Sequence, residues 1–160
     1  VRENQDKAQD YIQELSRVLR YTLQSNESQS VSLREEIEFA SAYIFLLKMR
    51  FENNLQFDIQ IAKSFEDYRL PPMAVQVLIE NAVKHNEISD RKPLTIHIVT
   101  NNEGYLSVSN DIQPKRTAAS GTGIGLVNLA KRYRLLFKQD IQITEDKEFS
   151  VCIPLIDEVQ

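Results

Sequence analysis

The ten residues LIENAVKHNE, Leu78 to Glu87, set a glutamate, an asparagine, a lysine and a histidine into an otherwise apolar helical pattern. At 100° per residue, Val75, Leu78, Ile79 and Ala82 share one arc, while Gln76, Glu80, Asn81, Lys84 and His85 gather on the opposite one. Such an arc is either a plain solvated face or a site for something polar. Asparagine in a helix interior costs roughly half a kcal/mol against alanine, which hints that Asn81 has a task. The chemistry on offer is an uncharged oxygen ligand beside a cation and a carboxylate. A second cluster is SGTGIGL, Ser120 to Leu126, where Gly121, Gly123 and Gly125, three of the four glycines in the chain, alternate with Thr122 and Ile124. Glycine lets backbone approach a ligand closely, and the helix expected next, LVNLAKRYRLLF from Leu126, would aim free N-terminal amides at the same place. Those are the requirements of a phosphate site, with a flexible loop before a helix as the plainer alternative. No Lys-Ser/Thr follows the glycines as in a P-loop, and the spacing is not GxGxxG.

These residues must be positioned by a modest body. The 160 residues, 42% of them hydrophobic, suffice for one core and a helical appendage. A net charge of -4 and a pI near 5.3 leave no concentrated basic face, which argues against nucleic acid as a partner. The single cysteine, Cys152, lies in an apolar run and reads as a core residue in a reducing compartment, so a cytoplasmic location is expected. No apolar run approaches the ~20 residues that span a bilayer, and VRENQDKAQD lacks the order of a signal peptide, so no membrane contact is expected of this stretch. The opening valine suggests a piece of a longer protein, for which an inner-membrane anchor stays open.

Along the chain, Ala8, Tyr11, Ile12, Leu15, Val18, Leu19 and Leu23 recur at three and four residues and predict one long helix with a stripe that needs a partner. After the polar QSNESQS, Ser32 and Glu35 have the spacing of a capping box opening a second helix, LREEIEFASAYIFLLKMRFEN. LQFDIQI, LTIHIVT, YLSVSN, IQIT and FSVCIPL alternate as strands, and LPP, Leu70 to Pro72, starts the helix of the first cluster with proline in its first turn. Strand, helix, two strands, helix, two strands predicts an α+β class, a two-layer sandwich with a mixed sheet covered by helices on one face, preceded by a helical arm.

LPPMAVQVLIENAVKHN followed by SGTGIGLVNLAKRYRLL resembles the N box and glycine-rich G box of the gyrase, Hsp90, histidine-kinase and MutL ATPase superfamily. LSRVLRYTL and VSLREEIEFASAYIFLLKMRF make the chain look like the LytS-type sensor histidine kinases in particular. The resemblance covers nearly the whole chain. It implies a Bergerat-type fold, residues 1–30 as part of a dimerisation and phosphotransfer helix region and 31–160 as the catalytic ATP-binding domain. It further implies ATP and Mg²⁺, with Asn81 as metal ligand, Lys84 against the phosphates, His85 beside the nucleotide, and Glu80 orienting the attacking group or pairing with Lys84. Gly121, Thr122, Gly123, Ile124, Gly125 and Leu126 would cradle phosphate. At the adenine box, VSNDIQP departs from the usual Asp-x-Gly: Asn110 stands at the aspartate position with Asp111 as an alternative, and Ile112 replaces the glycine. Lys115 and Arg116 are the cations of a short lid. The implied partners are a response regulator, an upstream acceptor helix and a second copy. The acceptor motif of such kinases, resembling Asn-Pro-His-Phe, does not occur after Val1, so the chain alone is expected to lack the phosphoacceptor. Other readings are a degenerate fold serving as a protein-interaction scaffold and an ATP hydrolase with Glu80 as base.

Overall fold

The structure is a computed structural model and describes residues 1–25, 29–115 and 123–158. Helix α1, Arg2–Ser25, leads to a two-residue strand β1, Val31–Ser32, and helix α2, Leu33–Phe51. The expected cap is present: the Ser32 hydroxyl accepts from the Glu35 amide at 3.1 Å. Strand β2, Leu55–Gln60, is followed by β3, Arg69–Leu70, helix α3, Ala74–His85, and strands β4, Leu94–Thr100, and β5, Tyr105–Asp111. Helix α4, Ile124–Phe137, and the hairpin β6, Gln142–Glu145, with β7, Glu148–Pro154, complete the described chain.

The main sheet runs β2-β4-β5-β7-β6. Strands β2 and β4 are parallel, as a connection through α3 requires, and the remaining pairs are antiparallel. Alternation sends Ile96, Ile98, Leu106, Val108, Val151 and Ile153 to one side, where they are buried with Leu78 and Ile79 of α3 and Leu129 and Tyr133 of α4. Asp58, His97, Ser107 and Ser109 belong to the other side, and Asp58 holds His97 Nδ1 at 3.0 Å. The α+β sandwich with one helical layer is as the alternation predicted.

Several boundaries differ from the sequence reading. A small antiparallel pair, β1 with β3, joins Val31 to Leu70 and Ser32 to Arg69, and was too short to leave a periodic signal. Helix α2 ends at Phe51, where Glu52 turns at φ 54. Helix α3 begins only at Ala74, leaving Pro71 and Pro72 ahead of it, because Met73 takes the left-handed conformation at φ 70. Helix α4 begins at Ile124, two residues before the expected start, so Gly125 is helical.

The α3 boundary has a specific cause. Glu36, fully buried on α2, accepts from the Met73 amide at 3.2 Å and from the Val75 amide at 3.2 Å, and also from the Tyr21 hydroxyl of α1. No side chain within the helix caps it, so this carboxylate fills the place of an N-cap. Tyr21 also stacks on Phe39, ring centroids 4.3 Å apart, and with Val18 and Ala42 fastens α1 to α2. The other side of α1 stays in solvent, with Ile12 61%, Leu19 55% and Leu23 72% exposed. Among the described residues no helix is long and apolar enough to cross a membrane.

Burial raises the Glu36 carboxyl above its ordinary range, an effect that the Tyr21 hydroxyl and the α3 amides partly offset. A carboxyl raised on folding binds its proton more tightly when folded. Its contribution to stability is therefore greatest below the unfolded value of about 4.3 and declines as pH rises through the folded one. Glu36→Ala is expected to cost about 2–4 kcal/mol by leaving two amides and a hydroxyl unpaired. Glu36→Gln should cost about half as much and remove this group's pH dependence. Urea unfolding of the three proteins between pH 4 and 7 measures both, and an unchanged midpoint in Glu36→Ala refutes the role.

Candidate functional site

The two sequence clusters meet. Val77, Glu80, Asn81, Lys84 and His85 on α3 face Gly123, Ile124, Gly125 and Leu126 across a cavity of about 270 Å³. A second cavity of about 430 Å³ shares Asn81, His85, Gly123 and Leu126 with the first and continues the groove toward the sheet. Its far end is formed by Ala82, Ile112, Pro114, Glu145 and Phe149. Larger hollows lie between α1 and α2, about 740 Å³, and along the outer side of α4 and β6, about 1060 Å³, without Asn81 or Lys84, and a third of about 650 Å³ lies between α2 and the end of α3 and includes Lys84 but not Asn81.

Local sequence explains the narrow end. Gly123 caps α4 at φ 66, a left-handed turn that a branched residue adopts only under strain. Gly125 differs: it is helical, and a Cβ at that position would lie 3.4 Å from Val77 Cγ1, in ordinary contact with α3. Among the described residues no side chain caps α4 and nothing accepts from its first amides, and the Val127 amide is the first one satisfied within the helix, by Gly123 O at 3.1 Å. Gly121, Thr122 and Arg116 lie outside the described residues.

On the other wall, Asn81 is half-buried and Lys84 and His85 are exposed. Glu80 and Lys84 form no ion pair with each other, which removes the simple helix-pair reading of Glu80. Glu80 also borders a hollow toward α2 with Tyr43, Arg50 and Lys115. There burial, reinforced by the Glu80 charge, pushes the Tyr43 hydroxyl up to about 12. Gln76 departs from the polar arc: its Oε1 is buried without a hydrogen-bond partner among the described residues.

Around the expected adenine box, Asn110 and Asp111 part company. Asn110 is 1% exposed on the helix-covered face of β5 and donates Nδ2 to the Asp111 carbonyl at 2.8 Å. Asp111 is exposed on the opposite face, as the two-residue period of a strand requires. The two are therefore not interchangeable by a one-residue shift.

Asn86, absent from the sequence reading, is the residue that closes the groove's far wall. It is 5% exposed, donates Nδ2 to Ala82 O at 2.8 Å and accepts from the Gln113 amide at 2.8 Å. Gln113 O accepts in turn from the Glu87 amide at 2.6 Å. These bonds tie the end of α3 to the segment after β5. The available signal was an asparagine placed directly after the last helical residue, where its short amide reaches back to the last turn.

Known proteins resemble this chain in sequence and in fold. Residues 1–55 match the histidine kinase family. The sensor protein LytS of Streptococcus mutans is 33% identical over 91% of the chain. The sensor histidine kinase/phosphatase LytS of Staphylococcus aureus is 29% identical over 86% of it. The chain spans 28% and 26% of the lengths of these two relatives. Among solved structures, the catalytic domain of histidine kinase ThkA superposes with a TM-score of 0.54 at 18% identity, covering 80% of this chain and 99% of that one. The histidine kinase domain of the Erythrobacter litoralis blue-light activated kinase gives 0.54 at 14% identity over 96% of this chain and 81% of its own. The chain is therefore a homologue of the LytS-type sensor histidine kinases, with the fold of a histidine-kinase catalytic domain.

Proposed function

We propose that this chain is the ATP-binding catalytic module of a two-component sensor histidine kinase. It transfers the γ-phosphoryl group of Mg-ATP to a histidine on an upstream helix, for relay to a response regulator. The observation that carries the reading is the groove in which Asn81, Lys84 and His85 face Gly123 and the open first turn of α4.

Each group has a part that its chemistry suits. The Asn81 carboxamide supplies an oxygen ligand with no net charge. Among the described residues no cluster of three or more His, Cys, Asp or Glu could hold a metal unaided. A divalent ion here has to bring phosphate oxygens and water as its other ligands, which is the habit of Mg²⁺. Bound in this way, Mg²⁺ supplies charge neutralisation on the phosphates. Lys84 adds a point charge, and the amides of Ile124, Gly125 and Leu126 donate to phosphate oxygens. Glu80 stands one residue from Asn81 and serves to orient the attacking group. Phosphoryl transfer asks little more of a protein than such positioning and neutralisation. The exposed Ile12, Leu19 and Leu23 face of α1 suits a helix of a second copy in the full-length protein. This module works in the cytoplasm.

Asn81→Ala is expected to weaken Mg-dependent binding of an ATP analogue at least about tenfold with the fold intact. Calorimetric titration checks it, and equal affinity of variant and parent removes Asn81 from the metal. Gly123→Val should cost about 1–2 kcal/mol through its positive φ. A Cβ there meets no atom of the described residues within 4 Å, and because Gly123 lines the groove the added bulk is expected to lower nucleotide affinity as well. Retained affinity in that variant would argue against phosphates at this turn. Finally, the chain alone should take up no acid-labile, base-stable label from γ-labelled Mg-ATP. Of its two histidines, His85 lines the groove itself and His97 is held by Asp58 on the uncovered face of the sheet. Such a label on this chain would contradict the expectation.

A further inference from the structure

Resting on the nucleotide reading above, we propose that Glu145 is the specificity-determining residue that accepts a hydrogen bond from the exocyclic amine of the base. One rung crosses three neighbouring strands on the helix-covered face of the sheet. Asn110 of β5 lies opposite Phe149 of β7, and Phe149 lies opposite Glu145 of β6. Phe149 and Glu145 line the 430 Å³ end of the groove with Ala82, Ile112 and Pro114. An apolar slot of this kind takes a flat heterocycle and relies on a few polar groups to orient it.

Within the lining, the Asn86 carboxamide oxygen is taken by the Gln113 amide, and Asn81 and His85 belong to the glycine-turn end; Asp111, Asn110 and Glu145 remain as acceptors for an amine. Asp111 is on the wrong face of β5. Asn110 is almost sealed, and with Nδ2 donating to Asp111 O it has only its uncharged Oδ1 left to offer as an acceptor. Glu145 is exposed and lines the cavity, carrying two acceptor oxygens. An ionised carboxylate accepts N–H bonds and donates none, and such charge-assisted bonds are roughly twice as strong as neutral ones. The charge that Asn110 does not carry is thus present two strands away, at the other end of the same rung.

The test removes the amine from the ligand and the acceptor from the protein. Affinities of the 160-residue chain are measured by calorimetry with Mg²⁺ and a non-hydrolysable ATP analogue, and with the matching purine riboside analogue that lacks the exocyclic amine. The unmutated chain should bind the amine-free ligand about fivefold more weakly. In Glu145→Ala this difference should shrink to within about twofold, with Glu145→Gln intermediate because it keeps an uncharged acceptor. The same amine dependence in all three proteins overturns the assignment. Failure of the ATP analogue to bind the unmutated chain at millimolar concentration overturns the nucleotide reading itself, and Glu145 with it.

Discussion

A carboxylate removed from water has to be met by donors from within the protein, and Glu36 is met from two directions. The α3 amides of Met73 and Val75 approach from one side and the Tyr21 hydroxyl of α1 from the other. One buried group on α2 thereby sets where α3 begins and how α1 leans. Met73 adopts a left-handed conformation to present those amides, a cost accepted because the alternative is a buried charge with unpaired amides beside it. The same turn is held on its far side, where Arg132 of α4 donates to Pro72 O at 2.8 Å. The start of the helix bearing Asn81 is thus placed by α2 and α4 directly and by α1 through Glu36, with all of these bonds outside the groove.

From that placement the groove acquires two unlike ends. At the narrow end, Lys84 and His85 face the open N-terminal turn of α4, an environment that favours anionic groups despite the chain's overall charge of -4. At the wide end, Ile112, Pro114, Leu126 and Phe149 make an apolar slot against the sheet. Asn86 and Gln113 lock the outer wall of that slot to the end of α3. Polar charge at one end and flat apolar walls at the other are the two requirements of a nucleoside polyphosphate.

Helix α1 shows how one element can serve two surfaces. Val18 and Tyr21 bind it to α2, whereas Ile12, Leu19 and Leu23 remain in solvent on another face. The histidine kinase match covers α1, α2 and the turn into β2, so that likeness is carried in part by a helix outside the main core.

Local pattern was enough to determine the five strands of the main sheet, the helices and the two polar clusters, because strand alternation, helical periodicity and glycine chemistry each act over a few residues. The cap at Ser32 and the positive φ at Gly123 were legible for the same reason. Glu36 was not: in sequence it is one glutamate among several in a helical pattern, and its partners stand 15, 37 and 39 residues away. Nor was the difference between Asn110 and Asp111, which depends on the face a strand turns to its helices. The rung that joins Asn110 to Phe149 and Glu145 depends on strand register across β5, β7 and β6. Those features are decided by contacts between distant segments, and only the tertiary structure brings such segments together.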